Sequence, residues 1–205
     1  MLAALTRLRQ ACSTPAILPD IQYHDISPKL SLLYERLEQL HEAGESVIVF
    51  TNFKMTLEHI QENLSARAVN SLCIHGGITR DKRTKILEQF ETSQTPNVLL
   101  MTLKTGGVGL NLTRARYVFH IEPWWNPASE NQATDRVYRI GQSRSVQVYK
   151  YIMMNSVEEK IQQLKHVKGK AFSALFDDSE DANTKEMATF KNSSLSDDDF
   201  QYLLS

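Results

Sequence analysis

Two rhythms of apolar residues alternate along this chain. Five short runs are rich in apolar, β-branched or aromatic residues: Ser46-Val47-Ile48-Val49-Phe50, Ser71-Leu72-Cys73-Ile74, Val98-Leu99-Leu100-Met101, Tyr117-Val118-Phe119-His120-Ile121 and Val146 to Ile152. Their length and composition predict strands buried on both faces. Between them the apolar positions recur three or four residues apart. Leu30, Leu33, Leu37 and Leu40 mark one face, Leu57, Ile60 and Leu64 a second, and Ile86, Leu87 and Phe90 a third. Each predicts an amphipathic helix, the first with Ser27 as its cap and Pro28 in its first turn. Strands alternating with helices predict an α/β fold: three layers, with a mainly parallel sheet covered on both faces. No internal repeat is visible.

In such sheets ligands gather outside the carboxyl ends of the strands. The polar and glycine-rich segments here follow the strands directly: Thr51-Asn52-Phe53, His75-Gly76-Gly77, Thr102 to Gly109, and Glu122 to Pro127. The pattern therefore places them along one edge.

Composition narrows the class. With 41% hydrophobic and 23% charged residues, the 205-residue chain reads as one globular domain plus a tail. No apolar run is long enough for a bilayer, and Arg7 and Arg9 interrupt the N-terminal stretch, which argues against a secretory signal. That stretch reads as a short amphipathic helix missing its partner. Cys12 and Cys73 lack metal-type spacing and suit reduced thiols of an intracellular protein. The net charge of −1 hides an asymmetry. Residues 177–205 carry eight acidic and two basic side chains, so the 24 acidic and 23 basic residues of the chain leave 16 and 21 for residues 1–176. A mildly basic body is compatible with a nucleic-acid partner, although a solvated surface produces the same balance. Residues 177–196, rich in Asp, Ser, Asn and Thr, predict a flexible tail. Phe200, Tyr202, Leu203 and Leu204 beyond it fit a short docking turn or a disordered end equally.

Phosphate chemistry in this fold class needs a G-x-x-x-x-G-K-[ST] loop and a carboxylate for magnesium. No Gly-Lys-[Ser/Thr] occurs, and Lys168-Gly169-Lys170 lacks the spacing. Any such chemistry must be shared with another domain. Arg136 and Arg139, three apart in Gln132-Ala133-Thr134-Asp135-Arg136-Val137-Tyr138-Arg139-Ile140-Gly141-Gln142, are predicted to share one helix face near an end set by Gly141. Paired guanidiniums suit charge spreading over a transferring phosphoryl group; an isolated R-x-x-R is more often a surface ion-pair element. The glycines of Thr102-Leu103-Lys104-Thr105-Gly106-Gly107-Val108-Gly109-Leu110-Asn111-Leu112 let backbone amides approach a phosphate or another backbone, and a bare GGxG is also a common turn. In Glu122-Pro123-Trp124-Trp125-Asn126-Pro127, proline-flanked tryptophans favour presenting at least one indole, against core burial as the usual fate of Trp.

Taken in order, FTNF, HGG, TLKTGGVGLNL, EPWWNP and QATDRVYRIGQ resemble the second RecA-like lobe of the Swi/Snf-type family within helicase superfamily two. The resemblance covers about Ser27 to Lys170. It implies a lead-in from a preceding lobe over residues 1–26, the RecA-like C-terminal lobe over 27–155, a bracing helix over 156–176 and the acidic tail over 177–205. It implies the C-terminal motor lobe of an ATP-dependent double-stranded DNA translocase. Arg136 and Arg139 match arginine fingers reaching ATP held by a first lobe. Gln132, Gly107, Gly109 and Asn111 match positions beside the nucleotide. Thr51, Asn52, His75, Gly76, Thr102 and Lys104 match the track for one DNA strand, and Trp125 the DNA-side tryptophan, with Trp124 beside it. ATP and Mg would be held mainly by the first lobe, with neither bound stably by this chain and no metal site of its own. The implied partners are duplex DNA and that first lobe, in a monomer away from membranes, in a bacterial cytoplasm or nucleoid or a eukaryotic nucleus. Alone, the chain is expected not to turn over ATP. The alternative is a non-catalytic DNA-binding or docking module that retains the fold. Tyr138 and Glu122 depart from the histidine and aspartate common in the family.

Overall fold

A computed structural model describes residues 2–103, 105, 112–124, 127–135, 137, 145–176 and 196–205, with the backbone alone for 127–129, 132 and 168–176. In chain order the elements are α1 (Leu2–Ser13), a 3₁₀ turn (Pro15–Ile17), α2 (Pro28–Glu42), β1 (Val47–Thr51), α3 (Lys54–Ala66), β2 (Ser71–Ile74), α4 (Arg80–Thr92), β3 (Val98–Thr102), β4 (Tyr117–His120), α5 (Pro127–Thr134), β5 (Gln147–Lys150), α6 (Val157–Phe176) and α7 (Asp197–Leu204). The strands form one sheet in the order β2-β3-β1-β4-β5, and all four pairings are parallel.

Period-two alternation divides the core between the two faces of this sheet. Val47, Val49, Val98, Leu100 and Phe119 pack with Leu30, Leu33, Leu37 and Leu40 of α2 and with Leu57, Ile60 and Leu64 of α3. Ile48, Phe50, Leu99, Met101 and Val118 face the other layer, against Phe90 of α4, Ala133 of α5 and Val137. The three predicted helix faces are thus the core faces, and β1 and β3 are buried at every position. Gly44, with φ +76°, ends α2 in the left-handed region that glycine enters without steric cost.

Two of the predicted strands are not buried on both faces. β2 and β5 form the edges, so Ser71, Leu72 and Cys73 are half-buried, and Gln147, Val148 and Lys150 are exposed. Ser27 takes the cap position of α2, but its hydroxyl donates to the Ser13 carbonyl at 3.2 Å and makes no cap bond.

A satellite cluster lies apart from the sheet. Leu5 of α1, Val157 and Ile161 of α6 and Leu203 of α7 are buried together, with Cys12, Leu164, Phe200 and Leu204 around them. The N-terminal helix therefore has partners within this chain. The end of the chain is a helix, opened by a capping box in which Ser196 and Asp199 each accept the other's backbone N–H. No described helix is long and apolar enough to cross a membrane.

Candidate functional site

The connection leaving β1 runs toward β2, whereas the one leaving β4 runs toward β5, so the sheet's switch point lies between β1 and β4. A crevice opens at such a point outside the carboxyl ends. Here a buried carboxylate bridges the two strand ends. Glu122, 3% exposed, accepts from Thr51 Oγ1 at 2.9 and 3.0 Å, from Asn52 N–H at 2.8 Å and from Ser13 Oγ at 2.5 Å. Ser13 Oγ also pairs with Thr56 Oγ1 at 3.0 Å. One side chain ties the end of β4 to the end of β1, to α1 and, through Ser13, to α3.

The segment after Glu122 is pinned twice more. Arg9, 3% exposed, donates to the Pro123 carbonyl at 3.2 Å, and its guanidinium lies 5.3 Å from the Trp124 ring and 5.5 Å from that of Phe53. Burial holds the Arg9 pKa below the ordinary guanidinium value, against the opposing pull of Glu122 and Glu158. Glu130, 2% exposed, accepts the Trp124 N–H at 2.6 Å and Lys165 Nζ at 2.8 Å on Oε1, and Lys150 Nζ at 2.9 Å on Oε2. Burial pushes the Glu130 carboxyl up, but Lys165, the Trp124 N–H and Lys150 together bring it below its usual range. A third buried pair sits beneath: Lys29 Nζ donates to Glu158 Oε2 at 2.5 Å and to the Ile121 carbonyl at 3.0 Å. Sequence reasoning missed Arg9, Ser13, Lys29, Glu130 and Glu158, and treated Glu122 only as a departure.

The expected DNA track divides by what its polar groups are bonded to. The hydroxyls of Thr51 and Thr102 are committed inside the protein, to Glu122 and to Thr105 Oγ1 at 3.1 Å. Asn52 gives its backbone N–H to Glu122, while its Oδ1 is buried with no partner among the described residues. His75 Nδ1 accepts the Gly77 N–H at 3.1 Å, which leaves Nε2–H as the donor of the neutral ring. At Gly77 a side chain would stand 3.1 Å from the His75 ring, whereas at Gly76 an added Cβ meets nothing within 4 Å. Trp124 is half-buried against the core layer of α4 and α5.

The remaining expected residues are Lys104, Gly107, Gly109, Asn111, Trp125, Arg136 and Arg139, which lie outside the described residues, and Gln132, described only by its backbone in α5. The helix expected to run to Gly141 is described only as far as Thr134. Val137 N–H bonds to the Thr134 carbonyl at 2.9 Å. Among the described residues, no group of three His, Cys, Asp or Glu side chains is placed to hold a metal.

Residues 28–141 match the family model described as helicase conserved C-terminal domain. The chain is 38% identical over 168 residues to the putative ATP-dependent helicase/translocase YwqA of Bacillus subtilis, covering 78% of this chain and 18% of that protein. It is 42% identical over 154 residues to the DNA repair protein RAD5 of Candida glabrata, covering 70% of this chain and 13% of that one. The chain thus spans less than a fifth of either. Among solved structures, the Sulfolobus solfataricus SWI2/SNF2 ATPase core in complex with dsDNA superposes with a TM-score of 0.72 at 30% identity, over 98% of this chain and 41% of that one.

Proposed function

Since the chain belongs to the helicase conserved C-terminal domain family, we propose that it is the second motor lobe of a DNA-dependent ATPase that tracks along duplex DNA. The nucleotide and its Mg²⁺ belong to a first lobe that supplies the phosphate loop missing here. When that lobe closes on this one, Arg136 and Arg139 reach the γ-phosphate and stabilise the charge that develops during transfer, a contribution worth about 10³–10⁵ in rate. Gln132, Gly107, Gly109 and Asn111 line the same junction. Closure and reopening move the lobe along the duplex, coupling chemistry to motion. Without a first lobe the chain is inactive.

One observation carries this reading. The segments expected to meet DNA all leave the carboxyl end of one parallel sheet: Thr51-Asn52 after β1, His75-Gly76 after β2, Thr102 at the end of β3 and the tryptophan loop after β4. At Gly76 no described neighbour lies within 4 Å of an added Cβ, which leaves the backbone open to close approach by a phosphate. The duplex bound to the Sulfolobus core is of the same partner class.

The test supplies a matching first lobe, fused or in trans, and measures phosphate release with and without duplex DNA. Arg139→Ala is expected to reduce DNA-stimulated release by at least about 10³-fold while duplex affinity stays within about twofold. Unchanged turnover in that variant refutes the finger assignment. A lobe pair that binds DNA yet never hydrolyses ATP favours the non-catalytic module.

A further inference from the structure

We propose that Trp124 is the anchor of the loop after β4 and not its DNA contact, and that Glu130 and Arg9 are the positioning residues that hold it there. The inference rests on the DNA-binding reading above.

Contacts from Glu130, from the core and from Arg9 converge on Trp124 and the residue before it. Its backbone N–H is bonded at 2.6 Å to a carboxylate that is itself 2% exposed. Its ring is half-buried against the core on one side and stands 5.3 Å from the buried Arg9 guanidinium. The same guanidinium holds the preceding carbonyl, that of Pro123, at 3.2 Å. An indole so placed is not free to stack on a base or lie along a groove. Glu130 in turn is fixed by Lys165 from α6 and Lys150 from β5, so the loop takes its position from the bracing helix and the edge strand. A hydrogen bond to a charged, desolvated acceptor is among the stronger ones a protein makes.

Glu130→Gln removes a negative charge and frees two lysines near the DNA-facing edge, so electrostatics alone would tighten duplex binding. Loss of positioning would weaken it. In fluorescence-anisotropy titrations of the 205-residue chain with a labelled duplex at low salt, Glu130→Gln is expected to weaken binding by about fivefold or more. Equal or tighter binding overturns the proposal. The second readout needs no DNA. The chain has two tryptophans, so Trp125→Phe leaves Trp124 as the sole indole reporter. In that background Glu130→Gln is expected to raise acrylamide quenching of Trp124 by about twofold, and unchanged quenching overturns the anchor role. With duplex added until anisotropy reaches its plateau, Trp124 emission is expected to stay constant; a DNA-dependent change in it overturns the claim that Trp124 makes no contact. Should circular dichroism show Glu130→Gln unfolded, Glu130→Asp replaces it, keeping the charge but falling short of the Trp124 N–H, with the same outcomes expected in quenching. If the wild-type chain binds no duplex at all, the DNA reading fails, and quenching still decides whether Glu130 anchors Trp124.

Discussion

Lys29→Met provides the most direct measure of how firmly the carboxyl edge is held. Lys29 Nζ bridges Glu158 Oε2 at 2.5 Å and the Ile121 carbonyl at 3.0 Å, and both side chains are nearly inaccessible, at 3% and 0%. The pair therefore joins the start of α2, the end of β4 and the start of α6. Methionine preserves much of the volume but leaves the Glu158 carboxylate with only the Met153 N–H at 2.9 Å, while Oε1 has no partner among the described residues. Breaking a buried pair from one side costs about 3–5 kcal/mol, which for a chain of this size lowers Tm by roughly 6 to 20 °C. Burial already raises the Glu158 carboxyl above its ordinary value, with Lys29 partly opposing the rise. Without Lys29 it rises further. The folded variant then holds the proton more tightly than the unfolded chain, so stability is lost as pH rises through the folded pKa and returns as pH falls. Urea denaturation followed by circular dichroism should show a larger deficit near pH 8 than near pH 5. The double variant Lys29→Met/Glu158→Gln should recover most of it. A deficit under about 1 kcal/mol, or one equal at the two pH values, refutes the reasoning.

Two further outcomes follow from the same geometry. His120 is 2% exposed, stacked on Phe50 and paired with Thr134 Oγ1 at 3.1 Å, and burial, offset in part by Glu130, brings its pKa down to about 4. The unfolded chain takes up that proton first, so stability should fall between about pH 6.5 and pH 4 by up to roughly 3 kcal/mol; His120→Phe should flatten that part of the urea-denaturation pH profile, and an unaltered slope counts against the assignment. Leu203, 2% exposed between α1 and α6, should cost about 2–3 kcal/mol of local stability when cut to Ala; hydrogen exchange should quicken in Asp197–Leu204 and in α1 while β1 and β3 keep their protection.

What the sequence makes legible here is apolar periodicity, and what it hides is long-range polar pairing. β1, β3 and β4 are recognisable because a strand inside a parallel sheet must be apolar on both faces, and α2 and α3 because their leucines repeat at helical spacing. β2 carries no mark of an edge in Ser71 to Ile74, and only the pairing order reveals it, whereas β5 did carry one in Gln147 and Lys150, polar positions inside its run. The final helix had a local signal in Ser196-Asp197-Asp198-Asp199, a capping-box pattern, that apolar residues alone left ambiguous. Arg9 and Pro123 are 114 residues apart and Lys29 and Glu158 are 129 apart, and no window of sequence relates them. Glu130 was the most accessible of the hidden group, as a lone acid shortly after the paired tryptophans.

Apolar residues of similar volume would often be as stabilising as these buried ions, so their concentration at one edge calls for a specific cause. A strand that leaves the sheet exposes backbone N–H groups that no neighbour strand can accept. Glu122 takes the N–H of Asn52 just past β1, and Glu130 takes that of Trp124 just past β4. An aliphatic side chain would leave both part-buried donors without these acceptors, at up to about 1–3 kcal/mol each. Each carboxylate has a second oxygen or lone pair to spend, and these reach outward to Ser13 of α1, to Lys150 of β5 and to Lys165 of α6. The same two groups thus satisfy the loops' own backbone and fasten those loops to peripheral elements.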